Sequence, residues 1–299
     1  MSQKITSKKE VEEFLDKYDH FLFDCDGVLW RGNHLLPSVV ETLDLLRSKN
    51  KQLTFVTNNS TKSRRAYTEK FAKFGLSVSA SEIFGSSYSA AVYLKKVVQL
   101  PEDKKVLVIG ESGIEEELQA AGVNYVGGTD PNLRQYPTEE LLAQVERDPS
   151  IGAVLVGLDL HINYLKISHG MVNLMDKDTL FLATNTDSTF PSKGKMLPGA
   201  GTVVGTLETC TGRKPTALGK PSPAMMDCIK AEKEIVPERT CMIGDRLNTD
   251  IMFGRQGGLG TLMVLTGVDK EETILSGNAI AQPDFYIDKL GSIYEYASQ

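Results

Sequence analysis

Residues 20–30 read HFLFDCDGVLW. A short apolar run of strand type, 20–25, ends in acid, with Asp24 and Asp26 flanking Cys25. In extended chain the two acids point to one side and the cysteine to the other. Gly27 then lets the backbone leave the strand and bring its N–H close to a ligand. Strand, acid pair and glycine turn in this order predict one strand of an α/β sheet with chemistry at its carboxyl end.

The pattern continues outward from that strand. Residues 37–50, PSVVETLDLLRSKN, carry apolar side chains at helical spacing, and 51–59, KQLTFVTNN, read as a second strand stopping at polar residues. Residues 60–75 predict a helix with Ser60 near its N-cap and Gly75 past its end. Such βαβα order predicts a doubly wound parallel core with right-handed crossovers. The middle repeats the style on its own, with strands at 105–110, 152–159 and 180–187 and helices at 112–122 and 163–176. A Gly/Pro-rich loop is expected at 127–137. The last third resumes the first pattern at 215–219, 239–245 and 259–267.

Composition narrows the class. A net charge of −6 without basic clusters argues against nucleic acid as a partner. No apolar run approaches the ~20 residues of a membrane span, and the charged N-terminus has no signal-type apolar core. Cys25, Cys210, Cys228 and Cys241 form no CxxC pair, which fits a reducing, cytosolic setting, nuclear presence included.

Four strand ends carry polar clusters: Asp24 with Asp26; Thr57 with Asn58 and Asn59; Gly219 with Lys220; Gly244 with Asp245, and Asp250 five residues on. Neighbouring strands would bring these clusters to one site. Close carboxylates resist joint ionisation unless a cation neutralises them, and an all-oxygen set suits Mg²⁺. Lys220 adds fixed positive charge, and Thr57 and the asparagines add neutral donors. Together they form a cradle for a phosphoryl group, with Asp24 as nucleophile and Asp26 moving protons. Pro221 disfavours helix at Lys220, which puts the lysine on a strand-to-helix turn.

Rival readings are weaker. Cys25 and Arg31 form a C-x5-R, but flanking carboxylates oppose a reactive thiolate and no Gly-rich anion loop follows. An EF-hand fails because Leu29 and Leu35 stand where Gly and Glu are required. VIGESG (108–113) lacks the dinucleotide pattern. His20, His34, His161 and His169 make no metal-ligand spacing. Asp159, His161 and Tyr164 read as packing or a dimer contact, and Arg64 as a helix-surface residue. Trp30 either walls the acid pair or packs in the core.

The set DCDGVLW, TFVTNNST, GKPSP and MIGDRLNTDI resembles the four motifs of the haloacid dehalogenase-like phosphatases, most of all the 4-nitrophenylphosphatase/phosphoglycolate phosphatase group that includes pyridoxal phosphatase. The resemblance implies that Asp24 is the nucleophile and an Mg²⁺ ligand. It makes Asp26 the general acid/base, with its carbonyl on the metal, and Lys220 the link between nucleophile and phosphate. It assigns phosphate to Thr57 and Asn58, Mg²⁺ to Asp245, and metal or water orientation to Asp250. It also implies an inserted α/β cap over 96–198, within a discontinuous core of 1–95 and 199–299. The cap would select a small substrate and mediate a homodimer. TNTDSTFP (184–191) matches the cap segment near the substrate pocket, so Asn185, Asp187 and Phe190 become candidate substrate contacts. Phe190 stands where some relatives carry histidine, so no imidazole contact carries over. The implied reaction is hydrolysis of small phosphate monoesters, 4-nitrophenyl phosphate in vitro and 2-phosphoglycolate or a similar metabolite in the cell. A phosphomutase or a non-turnover phosphate sensor is the alternative.

Overall fold

The computed structural model describes residues 2–192, 195–277 and 279–299. The chain divides into two compact units. The first comprises 1–57, 68–84 and 220–299; the second comprises 58–67 and 85–219.

The first unit is built on a seven-stranded sheet. Its order is Gln3–Lys4, Phe285–Ile287, Gly260–Val264, Thr240–Gly244, His20–Phe23, Gln52–Thr57, Ile83–Gly85. Pairing is parallel from Gln3–Lys4 through Gln52–Thr57. The central strand His20–Phe23 is buried along its whole length, as a parallel strand covered on both faces must be. Phe21, Phe23 and Phe55 fill the layer beside it, with the Phe23 and Phe55 rings 5.7 Å apart. The expected parallel core is therefore borne out.

The second unit has its own five-stranded parallel sheet, ordered Thr216–Ala217, Leu180–Ala183, Ile151–Val156, Lys105–Ile109, Tyr125–Gly127. Two short antiparallel hairpins complete the strands, Trp30–Arg31 with His34–Leu35 and Thr189–Ser192 with Lys195–Pro198.

Three local expectations need correction. The helix placed at 60–75 runs Arg64–Lys73. Ser63, not Ser60, accepts from an early helical N–H, that of Ala66 at 3.3 Å. Ser60 instead receives the Thr184 hydroxyl at 3.1 Å, and Asn59 forms a local turn with the Thr61 N–H. Residues 215–219 were grouped with the last third, yet Thr216–Ala217 pairs with Leu180–Ala183 in the second sheet. The expected core resumes at 199, yet the helix Ala200–Thr211 packs Val203, Val204 and Leu207 onto Ile109, Val154 and Phe181 of the second unit.

The compact units change over at 84–85 and 219–220, where the expected cap bounds are 96 and 198. At the front, the helix Ser86–Val92 has buried serines and alanines and packs against Ser112–Ala120. Residues 58–67 are tied to the same helix by Ser63 on Glu116 at 2.5 Å and by Arg64 on Glu117 at 3.0 Å. Gly113 has no room for a Cβ, which would fall 2.5 Å from the Lys62 nitrogen. Apolar periodicity marks a helix but not the sheet it covers, so these neighbours were invisible in sequence.

Candidate active site

Asp24 begins where the central strand ends, and its N–H donates to Ile243 O at 2.9 Å on the next strand. Asp245 follows Gly244 at the end of that neighbour. Asp250 lies one turn further, in the π-helical segment Leu247–Ile251. Carboxylate oxygens of Asp24, Asp245 and Asp250 lie within 4.8 Å of one another. Lys220 reaches among them: Nζ is 2.6 Å from Asp24 Oδ1, 2.8 Å from Asp250 Oδ1 and 2.8 Å from Val56 O. Ser222 accepts from Ala224 N–H and Pro223 opens the helix Pro223–Glu232, so the residue before them sits on a turn.

Each carboxylate has a distinct setting. Asp250 Oδ2 accepts from the N–H groups of Asp245 and Arg246, both at 3.1 Å, and Oδ1 takes Lys220. Its oxygens are thus engaged in holding the loop. Asp245 Oδ2 accepts from Val268 N–H at 2.8 Å. Burial pushes the Asp24 carboxyl up to about 7, against the opposing pull of Lys220. Burial and the charges of Asp250 and Asp24 raise Asp245 well above the carboxylate range. Lys220 is 3% exposed. Burial alone would lower its pKa, but Asp24 and Asp250 outweigh it and keep the ammonium charged.

The cluster fits a divalent cation. Three buried carboxyl groups stand against one ammonium, an excess of acid that a divalent cation would neutralise. Two glycines make room for one of these carboxylates: a Cβ on Gly27 would stand 2.6 Å from Asp245 Oδ2, and one on Gly267 would overlap it. Gly27 has φ +93°, a conformation open to glycine and costly for other residues.

Asp26 lies outside that cluster. Its Oδ1 accepts from the Trp30 indole N–H at 2.9 Å, and Lys70 Nζ stands 3.8 Å away. Trp30 thus sits against the acid pair and in the core at once. Lys70, on the helix Arg64–Lys73, carried no sequence signal, because a surface-type lysine in a helix gives none. Cys25 is fully buried, and burial, then Asp24 and Asp26, push its thiol up. The Arg31 guanidinium meets Thr266 O instead. The C-x5-R spacing therefore has no site behind it.

Thr57 is buried at the end of its strand. The second unit contains the other candidate contacts. Asn58 Nδ2 donates to the Asp187 carboxylate at 3.2 Å, and Asn58 O accepts from Asn185 Nδ2 at 2.7 Å and from Ser86 Oγ at 2.7 Å. Asn185 Oδ1 in turn takes Asp187 N–H. Asn59 Oδ1 serves Thr61. Phe190 is half-buried in the hairpin, opposite Leu197. Arg64, set aside as a surface residue, holds Glu117 and stacks 3.4 Å from the Tyr88 ring centre.

A second constellation, Glu111, Asp159 and His161, also has its ligand atoms within 4.8 Å. Its acids are already balanced: Lys166 Nζ lies 2.6 Å from Asp159, and Arg134 lies 3.1 Å from Glu111. It reads as packing. Among the described residues, no helix is long and apolar enough to cross a membrane.

Comparison with known proteins agrees with this geometry. A family model described as haloacid dehalogenase-like hydrolase matches residues 21–124, and an HAD-hydrolase-like model matches 217–293. The chain is 50% identical to a 4-nitrophenylphosphatase of Schizosaccharomyces pombe, over 99% of this chain and 100% of that one. It is 45% identical to the chloroplastic phosphoglycolate phosphatase 1A of Arabidopsis thaliana, over 94% and 78% of the two chains. A glycerol phosphate phosphatase from Mycobacterium tuberculosis, solved in complex with magnesium, superposes with a TM-score of 0.77. The two share 26% identity, over 98% of this chain and 80% of that one.

Proposed function

Since this chain belongs to the haloacid dehalogenase-like hydrolases, as a phosphoric monoester hydrolase, we propose that it cleaves small phosphate monoesters through an aspartyl-phosphate on Asp24. The observation that carries this reading is Lys220, buried between Asp24 and Asp250 beside Asp245. A lysine so placed fixes the nucleophile and offers charge to a phosphoryl group beside it.

In the first step the Asp24 carboxylate oxygen attacks phosphorus, and the bond from phosphorus to the leaving oxygen breaks. Asp26 gives its proton to the departing alkoxide. In the second step Asp26 takes a proton from water, the resulting hydroxide attacks phosphorus, and Asp24 is released. Mg²⁺, held by Asp24, Asp245 and the Asp26 carbonyl with Asp250 orienting, would neutralise the phosphoryl oxygens as charge builds. Gly27, Thr57, Asn58 and Asn59 are assigned to the phosphate. Asn185, Asp187 and Phe190 are assigned to the organic part of the substrate.

Relatives named for 4-nitrophenyl phosphate, phosphoglycolate and glycerol phosphate support small monoesters as the substrate class, with 2-phosphoglycolate a leading choice. Leu160 and Tyr164 are exposed on the second unit, and we place the homodimer contact there. Four free thiols suit a reducing, cytosolic compartment.

Phosphate release from a panel of monoesters with Mg²⁺ tests the reading. Asp24→Asn should fall to background, and Asp26→Asn should lose about 10²–10⁴-fold. Cys25→Ser should keep most activity. Activity surviving in Asp24→Asn but lost in Cys25→Ser would overturn the carboxylate mechanism.

A further inference from the structure

The acid/base carboxylate is held by groups that are neither nucleophile, phosphate contact nor metal ligand. Asp26 is tethered through one oxygen: Oδ1 takes the Trp30 indole N–H at 2.9 Å and lies 3.8 Å from Lys70 Nζ. The Asp26 side chain is 43% exposed, and no hydrogen bond to Oδ2 is formed among the described residues. A carboxylate anchored at one oxygen presents the other in a fixed direction.

The anchor is itself rigid. Trp30 is fully buried, stacked on Phe74 at 5.4 Å and edge-on to Phe71 at 5.0 Å. Its backbone closes the loop behind the acid: Gly27 N–H donates to Trp30 O at 2.7 Å, and Trp30 N–H donates to Cys25 O at 3.3 Å. The Lys70 ammonium lies 4.0 Å from the Trp30 ring centre, within cation–π range. The lysine therefore binds both the indole and the acid. A tryptophan needed only for packing would not have to aim its N–H at a half-exposed carboxylate.

We propose that Trp30 and Lys70 are positioning residues for Asp26, fixing Oδ1 so that Oδ2 meets the leaving oxygen of the substrate. The proposal rests on Asp26 acting as general acid, as set out above. Misplacing a catalytic group by about 1 Å can cost 10²-fold, and that cost falls on the step in which the proton is delivered. The step matters unequally among substrates. 4-Nitrophenolate is a stable anion near neutral pH and leaves without a proton. An alkoxide does not, so hydrolysis of an alkyl phosphate depends on the acid.

The test is kcat and KM for 4-nitrophenyl phosphate and for glycerol 3-phosphate, with Mg²⁺, in wild type, Trp30→Phe and Lys70→Met. Trp30→Phe keeps an aromatic ring against Phe71 and Phe74 and removes the N–H. Lys70→Met keeps the alkyl stem, removes the charge, and stands in should Trp30→Phe not fold. Phe74→Leu is the packing control. In both test variants kcat/KM, which reports formation of the aspartyl-phosphate and not the later water step shared by both esters, should drop about tenfold more for the alkyl ester than for the aryl ester. Phe74→Leu should leave the ratio of the two kcat/KM values unchanged. Equal losses on both esters, or no loss on either, in the test variants would overturn the positioning role while leaving the phosphatase reading intact. A wild type that cleaves neither ester would overturn the underlying reading, and this one with it.

Discussion

At the scale of the residue, the informative feature is a group of buried acids whose proton affinity is raised where a cation would bind. Asp24 is pushed up to about 7 by burial, and Asp245 is raised by burial together with its acidic neighbours. Without metal, the cluster therefore holds a proton at and below neutral pH. A divalent cation competes with that proton, so affinity for Mg²⁺ should fall as pH falls through the neutral range. Titration calorimetry at a pH of about 6.5, in two buffers of different protonation enthalpy, should show net proton release on Mg²⁺ binding. Binding with no proton release would contradict the raised carboxyls. Lys220 does not relieve the cluster, because it pairs with Asp24 and Asp250 and stays charged. Cys25, between the two acids, is fully buried.

At the scale of the element, the helix Ala200–Thr211 is the clearest case of what packing decides. Leu207 is fully buried against the second sheet. Leu207→Ala should cost about 2–5 kcal/mol, the range for truncating a buried leucine. The loss should appear as faster hydrogen exchange in Lys105–Ile109 and Ile151–Val156, not in His20–Phe23. Faster exchange confined to His20–Phe23 would show that the helix serves the other unit. This element also marks the limit of sequence reading. The spacing of Val203, Val204 and Leu207 suits a helix but does not say which sheet it covers, since an apolar stripe carries no record of the surface it meets. The same holds for Thr216–Ala217, too short to show which sheet it joins. Asp24, Thr57 and Asp245 were legible for the opposite reason: they stand at the ends of strands of the first sheet, where topology fixes direction. Lys70 was not, because its role comes from the Trp30 ring beside it. The Ser60 cap failed because that hydroxyl meets Thr184, more than a hundred residues away in sequence.

At the scale of the whole molecule, the two sheets differ in how they are assembled from the chain. The second draws all its strands from one run, 105–217. The first seats its central strand between Gln52–Thr57 and Thr240–Gly244, so that His20 pairs with Thr240, 220 positions later. Contacts so distant in sequence form late, because loop closure must precede them. Pulse-labelled hydrogen exchange during refolding should therefore protect Leu180–Ala183 and Ile151–Val156 before His20–Phe23 and Thr240–Gly244. Simultaneous protection of both sheets would refute this order. The strand order has a further consequence during synthesis. Once Gly219 has been added, the 25 residues through Gly244, whose strand fills the open edge, take roughly 1–5 s at ordinary elongation rates. Throughout that interval the strand leading to Asp24 lies in the nascent chain with one edge unpaired. A chaperone that shields bare strand edges would find its client there, in an enzyme whose Asp24 is translated early and buried late.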